Sequence, residues 1–172
     1  ADRCLLVDEK GNIVNGDLIL GIIATNWKNK NILKNNAVVG TSMSNSALQK
    51  YLEKKNIKFI RTDVGDRNII KEMKKRNLVL GGEPSGHIIL SNLSSSGDGL
   101  LASLEVLHTL KEKGKKLSFL SSFFKAYPQV TDDFPINQNT SAEKILKKSK
   151  PEILKLNKSL KSNGRLLVRK SG

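Results

Sequence analysis

The sequence is short of several residue types on which whole classes of protein depend. It contains 1 Cys in 172 residues, so Cys4 cannot form an internal disulfide bond, which is compatible with a reducing compartment. No apolar run approaches the roughly 20 residues that a membrane-spanning helix needs, and no signal-peptide pattern precedes the first strand. We therefore expect a globular protein with no membrane partner and a cytoplasmic location.

Aromatic residues are also scarce, at 5% of the sequence, although the formal net charge is +14. The positive charge is mostly lysine scattered among Asn and Ile, as in residues 26–36, and a general bias toward these residues explains it as well as a binding patch does. With few rings to stack on bases, we expect no nucleic-acid partner. A basic module that binds polyanions remains the alternative from another functional class, and a basic surface would also attract phosphate esters.

What the sequence does contain is a regular alternation of strand and helix patterns. Residues 5–14 predict a hairpin, and a buried helix follows with Asp17 as its N-cap. Strands are predicted at 37–39, 57–60, 78–80 and 88–90, with helices capped by Ser44 or Asn45, opened by Asp66, and following residues 94–99. This alternation predicts an α/β fold, a layered domain with a mixed, largely parallel sheet.

The last third of the chain changes character. The long helix after residue 99 carries leucines at helical spacing (Leu100, Leu101, Leu104, Leu107 and Leu110), and a short helix is predicted at 117–124. Composition shifts near 127, followed by a predicted strand at 129–130, a lysine-rich helix that spans 152–161 and can start earlier, and a strand at 166–168. We predict a domain at 16–126, flanked by the end of another domain at 1–15 and the truncated start of a third at 127–172. Both ends fall within turns, which is typical of a fragment.

One polar loop, residues 82–87 with the sequence Gly-Glu-Pro-Ser-Gly-His, lies between two predicted strands. Glycines let a backbone approach a ligand closely and proline stiffens the turn, so Glu83 and Ser85 can bond neighbouring sugar hydroxyls. A plain surface hairpin is the alternative. His87 ends the loop, where it can orient the loop or contact a ligand, whereas His108 lies within a helix and is expected to be structural.

Three further loops carry polar groups suited to phosphate chemistry. Asp2 and Arg3 precede a strand, where they can serve a cation and a phosphoryl group or form a simple exposed ion pair. Residues 64–67 contain an Asp before a helix and an Arg, Arg67, for which an N-cap with an exposed cation is the alternative. Residues 169–172 combine cations, a hydroxyl and a glycine, which suit a phosphate.

In this order, the motifs resemble those of the α-D-phosphohexomutase superfamily, most of all its bacterial phosphoglucosamine mutase branch. The loop at 82–87 matches the sugar-binding G-E-x-S-G-H, and Asp2-Arg3 is similar to the end of the metal loop D-G-D-x-D-R. The other matches are N-G-D at 15–17, T-x-M-S-N at 41–45, V-G-D-R at 64–67, S-G-D-G at 96–99 with Ser for the usual Thr, and the start of R-x-S-G-T-E at 169–172. V-G-D-R is typical of the glucosamine branch and not of phosphomannomutase or phosphoglucomutase, which remain the alternative within the superfamily.

The resemblance implies an intramolecular phosphotransferase, an isomerase, of which this chain holds the end of domain two, domain three and the start of domain four. Such an enzyme interconverts glucosamine 6-phosphate and glucosamine 1-phosphate through a phosphoserine and a 1,6-bisphosphate, on the route to UDP-N-acetylglucosamine and the cell wall. It implies Mg²⁺ as cofactor and a phosphosugar as partner, and it leaves a homodimer of the full-length enzyme open.

The resemblance also implies roles for individual residues near the first two motifs. Asp2 is one of the Mg²⁺ ligands, and Arg3 is a catalytic residue that holds the transferring phosphoryl group. Glu83 and Ser85 bind the sugar, with His87 among the substrate-binding residues.

Further from these motifs, Arg67 is implied at the rim of the site, and Arg169, Ser171 and Gly172 bind the non-transferring phosphate. The nucleophilic serine and the other two Asp ligands have no counterpart in the sequence. We therefore expect this chain alone to be inactive and to bind magnesium weakly.

Overall fold

The computed structural model describes residues 1–137, 141–161 and 164–170, and the chain divides into two compact units, Ala1–Pro128 and Gln129–Gly172. Every buried hydrophobic side chain among the described residues lies between Val14 and Val106. The hydrophobic core therefore belongs to the first unit. The predicted division into domains at 1–15, 16–126 and 127–172 stays a prediction.

In the part of the chain that the structure describes, the strands form two sheets. The strands are β1 (Leu6–Val7), β2 (Ile13–Val14), β3 (Ala37–Thr41), β4 (Lys58–Thr62), β5 (Leu80–Gly82) and β6 (Ile88–Leu90). β1 and β2 pair as the predicted antiparallel hairpin, and the other four strands follow the order β4-β3-β5-β6. β3 is parallel to both β4 and β5, whereas β6 is antiparallel to β5. The predicted mixed, largely parallel sheet is confirmed.

Among the described residues, five helices belong to the first unit and one to the second. They are α1 (Gly16–Asn29), α2 (Ser46–Lys54), α3 (Asp66–Arg76), α4 (Gly99–Lys113), α5 (Leu117–Ser121) and α6 (Ala142–Leu160), with a short 3₁₀ turn at Lys34–Asn36. The lysine-rich helix α6 takes the earlier of the two predicted starts, at Ala142. Within the described ranges, no helix has both the length and the apolar character to cross a membrane.

The N-terminus of α1 differs from the prediction. Asn15, not Asp17, is the N-cap, because its side chain accepts a hydrogen bond from the backbone N–H of Leu18 at 3.2 Å. Asp17 lies in the first turn, buried, and its Oδ2 accepts the backbone N–H of Asn45 at 2.7 Å. Asn45 is the N-cap of α2, one of the two predicted alternatives.

The larger sheet lies between two layers of helices. Val38, Ile88 and Leu90 belong to the core cluster that includes residues of α1, α2 and α4. Their neighbours Val39 and Ile89 belong to a second cluster with residues of α3. Alternate strand residues point to opposite faces, so this division describes a three-layer α/β/α sandwich.

The buried face of α4 is not its leucine-rich face. Leu100, Leu104 and Leu107 are 68%, 52% and 55% exposed, while Ala102 and Val106 are fully buried. α4 packs against α1 and β6, and small or branched residues let the helices approach closely. The spacing predicted the helix correctly, but three of its leucines face away from the core of this chain.

Both strands predicted for the second unit are wrong. Gln129–Val130 has no strand conformation, and Val130 is 96% exposed. Residues 166–168 are not a strand either, because the side chain of Asn157 bonds both backbone groups of Leu166 in place of a neighbouring strand, at 2.9 and 3.0 Å.

Candidate functional site at one edge of the sheet

Three of the predicted motifs lie at the same edge of the larger sheet. β3, β4 and β5 run parallel and end at Thr41, Thr62 and Gly82. The T-x-M-S-N, V-G-D-R and G-E-x-S-G-H segments begin at or just after these ends, so topology alone brings them to one edge, hereafter the carboxyl edge. In open α/β sheets, ligands bind outside the carboxyl ends of the strands.

The loop at 82–87 is held by backbone hydrogen bonds on both sides. The N–H of Glu83 donates to the carbonyl of His87 at 2.9 Å, and the N–H of Gly86 donates to the carbonyl of Glu83 at 3.0 Å. From outside the loop, the N–H of Gly16 at the start of α1 donates to the carbonyl of Pro84 at 3.1 Å. The loop is therefore a closed turn that is fixed to a helix, which is a rigid support for its polar side chains.

The carboxylate of Glu83 connects two of the motifs. Its Oε1 accepts the backbone N–H of Gly65 at 2.9 Å, and its Oε2 lies 3.3 Å from the hydroxyl of Ser85, which can donate to it. Glu83 is half-buried and Ser85 is exposed. Gly65 has φ +120°, a backbone conformation that residues with a side chain rarely adopt. Glycine is therefore needed for the N–H of this residue to point at Glu83. Arg67, exposed in the first turn of α3, follows two residues later and so lies at the same edge.

The residues at the start of the chain lie beside this loop. The N–H of Cys4 donates to the carbonyl of Gly86 at 3.1 Å, and the N–H of Gly99 donates to the carbonyl of Ala1 at 3.1 Å. The exposed side chains of Asp2 and Arg3 lie between these two anchors. The predicted metal and phosphoryl residues are thus brought next to the predicted sugar residues.

Cys4 itself offers no reactive thiol. Its side chain is half-buried, and burial raises the pKa of the thiol, while a hydrogen bond with Ser103 lowers it by a smaller amount. The thiol is therefore protonated near neutral pH, which is typical of a structural cysteine.

His87 is buried, at 7% exposure, and its Nδ1 lies 3.4 Å from Oδ2 of Asp2. Of the two roles predicted for it, this position favours orientation. His108 is half exposed on α4, next to Lys30 and Glu112, and lies outside the group of motifs.

Sequence reasoning missed Arg61, which holds the T-x-M-S-N turn, and the contact of Asn45 with Tyr127. Arg61, at the end of β4, donates through Nη1 to the carbonyls of Thr41 and Ser44 at 3.0 and 2.9 Å. Asn45 bonds both backbone groups of Tyr127, at 2.9 and 3.1 Å. A cation directly after a predicted buried strand was the available signal for Arg61, whereas the long-range pairing of Asn45 with Tyr127 left none.

The predicted phosphate residues belong to the second unit. Arg169 is exposed, and its Nη1 lies 3.3 Å from the carbonyl of Lys170. Ser171 and Gly172 lie outside the described residues. In the parts of the chain that the structure describes, no three His, Cys, Asp or Glu side chains are grouped closely enough to hold a metal ion.

The fold is a three-layer α/β/α domain, and its candidate site lies at the carboxyl edge of the sheet. Residues 15–127 match the family model for phosphoglucomutase/phosphomannomutase, alpha/beta/alpha domain III. The chain therefore belongs to this family of phosphohexomutases, which confirms the resemblance inferred from its motifs.

Curated relatives indicate a particular branch. The chain is 45% identical over its whole length to phosphoglucosamine mutase from Zymomonas mobilis, of which it covers 38%. It is 44% identical to the phosphoglucosamine mutase of Clostridium botulinum, again with 38% of that protein covered. The chain thus spans well under half the length of these relatives.

Solved structures share the fold. One is an N-acetylglucosamine-phosphate mutase in its product complex, described as a member of the α-D-phosphohexomutase superfamily. It is 22% identical with a TM-score of 0.69, and the match covers 100% of this chain and 42% of that one. The N-acetylphosphoglucosamine mutase of Aspergillus fumigatus, in complex with GlcNAc-6P and magnesium, has a TM-score of 0.61 at 21% identity and covers 74% of this chain and 32% of that one.

Proposed function

We propose that this chain supplies the sugar-binding surface and one metal ligand of a phosphoglucosamine mutase. In this function, the complete enzyme interconverts glucosamine 6-phosphate and glucosamine 1-phosphate through a phosphoserine and a 1,6-bisphosphate. The observation that carries the proposal is the carboxylate of Glu83, oriented by the N–H of Gly65 and lying beside Ser85 at the carboxyl edge. The 44–45% identity to phosphoglucosamine mutases supports it along the whole chain.

Glu83 and Ser85 have the chemistry that sugar binding requires. A carboxylate only accepts hydrogen bonds, and it retains lone pairs after those from Gly65 and Ser85, so it can accept from sugar hydroxyls. Ser85 can donate or accept, and its exposure leaves it accessible. Arg67 adds a cation at the same edge, which favours an anionic ligand such as a phosphosugar.

Asp2 and Arg3 supply the groups needed near a transferring phosphoryl group. Asp2 fits Mg²⁺ as one oxygen ligand, because its side chain is 69% exposed and carboxylate oxygens are hard donors. When bound, Mg²⁺ neutralises the charge that develops on the phosphoryl oxygens. Arg3 offers a planar pair of donors for those oxygens. The magnesium in the Aspergillus fumigatus relative supports this assignment.

The other roles in the proposal concern the second unit of this chain and the rest of the enzyme. Arg169, with Ser171 and Gly172, holds the phosphate that is not transferred, and the nucleophilic serine comes from elsewhere in the enzyme. We place the enzyme in the cytoplasm, on the route to UDP-N-acetylglucosamine, and propose that the full-length protein forms a homodimer without a nucleic-acid or membrane partner.

Phosphomannomutase or phosphoglucomutase activity is the second candidate, favoured by the description of the matching family model. The position of Gly65 favours the glucosamine reaction, because the V-G-D-R segment lies directly against the sugar-binding carboxylate, where it can influence which sugar fits. A polyanion-binding module lacks comparable support, since the motifs converge on a carboxylate.

The test is a titration of the ¹⁵N-labelled chain with glucosamine 6-phosphate, mannose 6-phosphate and glucose 6-phosphate, followed by NMR. We expect glucosamine 6-phosphate to shift the amide signals of Gly65, Glu83 and Ser85 at the lowest concentration. Glu83→Gln should weaken this binding roughly tenfold, because a charged hydrogen-bond acceptor is lost. Glu53→Gln, at an exposed position on α2, should leave it unchanged. Equal binding of all three sugars would contradict the glucosamine assignment, and binding that Glu83→Gln does not change would contradict the site.

A further inference from the structure

Asp66 is the member of the V-G-D-R segment to which the proposed function assigns no role. It is the first residue of α3, and its side chain is exposed at the carboxyl edge. Its Oδ1 accepts the backbone N–H of Arg67 at 2.7 Å. Within residues 1–137, 141–161 and 164–170, no cationic side chain forms an ion pair with Asp66. Its negative charge is therefore accessible to a cationic group of a ligand.

Asp66 lies close to the sugar-binding carboxylate because Gly65 connects the two. The backbone nitrogen of Gly65 lies 2.9 Å from Oε1 of Glu83. Asp66 is the next residue along the chain, and consecutive Cα atoms lie about 3.8 Å apart. With the N–Cα bond of Gly65 included, the Cα of Asp66 lies no more than about 8 Å from this oxygen. One bound sugar can therefore contact both carboxylates.

The carboxyl edge presents charges of both signs side by side at this point. Arg67, next to Asp66, is an exposed cation, and the chain as a whole has 30 Lys and Arg against 16 Asp and Glu. A basic surface attracts a phosphate, whereas a carboxylate repels it, so Asp66 favours a phosphosugar only if the sugar also carries a positive charge. Glucose 6-phosphate and mannose 6-phosphate carry none. The amine of glucosamine 6-phosphate is a cation near neutral pH.

We propose that Asp66 is a specificity-determining residue that binds the ammonium group at C2 of a glucosamine phosphate. The ammonium group donates a charge-assisted hydrogen bond to Asp66, while Glu83 accepts from a hydroxyl of the same ring. The inference rests on the proposed function, because it takes the sugar-binding role of Glu83 as given. It goes further by assigning the choice between an amino sugar and a plain hexose to one side chain.

A purely structural role for Asp66 makes a different prediction. An acid in the first turn of a helix interacts favourably with the helix dipole, so its removal would destabilise the start of α3 and disturb Gly65. Such a disturbance would weaken the binding of all phosphosugars alike. A specificity role instead changes the ratio of two affinities. Glucosamine 6-phosphate and glucose 6-phosphate isolate this ratio, because they differ only in the ammonium or hydroxyl group at C2.

The test is the ratio of the dissociation constants of these two sugars, measured by NMR titration of the 172-residue chain and of Asp66→Asn. Asn retains an oxygen for the N–H of Arg67 but removes the charge. We expect the wild type to prefer glucosamine 6-phosphate and Asp66→Asn to lower this preference about fivefold, the scale of an exposed ion pair. Asp66→Glu, which retains the charge, should keep part of the preference. N-acetylglucosamine 6-phosphate, whose nitrogen is uncharged, should bind the wild type and Asp66→Asn equally.

Asp63→Asn is the matched control. Asp63 is also an exposed acid just after β4, so its replacement makes the same change in net charge at the same edge. It should leave the preference unchanged, which separates a direct contact from a general effect of charge. An equal loss of preference in Asp63→Asn and Asp66→Asn would overturn the inference. A wild-type preference that Asp66→Asn retains would overturn it as well.

Failure of the proposed function has a different signature. Both outcomes that overturn the role of Asp66 leave the binding of sugar phosphates to the wild type, and its loss in Glu83→Gln, as the proposed function expects. Equal binding of glucosamine 6-phosphate and glucose 6-phosphate by the wild type would instead contradict the glucosamine assignment, and the inference with it. Binding that Glu83→Gln does not weaken would contradict the site itself.

Discussion

At the scale of single residues, Gly65 is the position where backbone conformation and the candidate site depend on each other most directly. Its φ of +120° is accessible to glycine, and its N–H holds Oε1 of Glu83 at 2.9 Å. We predict that Gly65→Ala lowers the free energy of unfolding by about 1–2 kcal/mol, because a non-glycine residue is strained there. It should also weaken the binding of glucosamine 6-phosphate, which NMR titration measures, because Glu83 loses its orienting donor.

Gly114 provides the matched control for this substitution. It also has positive φ, at +60°, but it ends α4 with no atom within 4 Å of the position of a Cβ. Gly114→Ala should cost about 1 kcal/mol of stability through its backbone conformation alone. It should leave sugar-phosphate binding unchanged. Equal loss of binding in both variants would show that Gly65 acts through general stability and not through Glu83.

At the scale of elements, the hairpin β1-β2 depends on the carboxylate of Asp8. This carboxylate accepts the backbone N–H groups of Lys10 and Asn12 at 2.9 and 2.8 Å and the side-chain amide of Asn12 at 3.0 Å. The pKa of Asp8 is lowered in the folded state, mainly by the hydrogen bond from the side chain of Asn12. The two backbone hydrogen bonds lower this pKa further, whereas desolvation raises it. The hairpin is therefore stabilised by the ionised form of Asp8.

The sign of the pH dependence follows from this lowered pKa. The stabilising contribution is fully present above the unfolded pKa of about 3.9 and is lost as the pH falls through the lower folded pKa. We predict that Asp8→Ala destabilises the chain at pH 7 and that its difference from the wild type shrinks toward pH 3. Urea unfolding, followed through the fluorescence of the single tryptophan, Trp27, measures the free energy of unfolding of the variant and of the wild type at both pH values. Asn12→Ala should show part of the same trend, and a difference that grows at low pH would contradict the assignment.

Helix α4 shows where sequence patterns reach their limit. Leucine spacing predicts the helix, but it cannot decide which of two apolar faces meets the core, since that depends on α1 and β6. We predict that Val106→Ala, at a fully buried position, costs about 2 kcal/mol, because it leaves a cavity. Leu104→Ala, at a position 52% exposed, should change stability by less than about 0.5 kcal/mol. If urea unfolding showed similar losses of stability for the two variants, the leucine face would be covered in solution.

The sequence predicted the motifs of the candidate site better than the caps and strand bonds of the surrounding elements. Strand ends, glycines and polar loops were readable locally, and parallel pairing then brought Glu83 and the V-G-D-R segment to one edge. The cap of α1 was misassigned because Asn15 and Asp17 both suit an N-cap, and only the pairing of Asp17 with Asn45 distinguishes them. The strand predicted at 166–168 failed because a side chain, that of Asn157, took over backbone bonds that strands normally make.

At the scale of the whole molecule, the position of the core makes the first unit a candidate for independent folding. All buried hydrophobic side chains of the described residues lie between Val14 and Val106, and the bonds of Asn45 to Tyr127 close this unit near its end. We predict that a chain of residues 1–128 unfolds in urea in one cooperative transition, with a midpoint close to that of the 172-residue chain. Trp27, which is buried and bonded to Glu105 at 2.9 Å, reports the transition.

A second truncation makes this prediction specific to Asn45. A chain of residues 1–126 keeps the same core but removes Tyr127, so the side chain of Asn45 loses its two bonds to that residue. Its Oδ1 keeps the N–H of Ala47, but its amide nitrogen is left without its partner. A buried polar group without a partner costs about 1–3 kcal/mol, and the shorter chain should be less stable by that amount. Asn45→Ala should destabilise residues 1–128 much more than residues 1–126, because in the shorter chain these bonds are already absent. Equal effects in the two chains would mean that Asn45 stabilises the unit only as the cap of α2, and that the core alone determines where the folding unit ends.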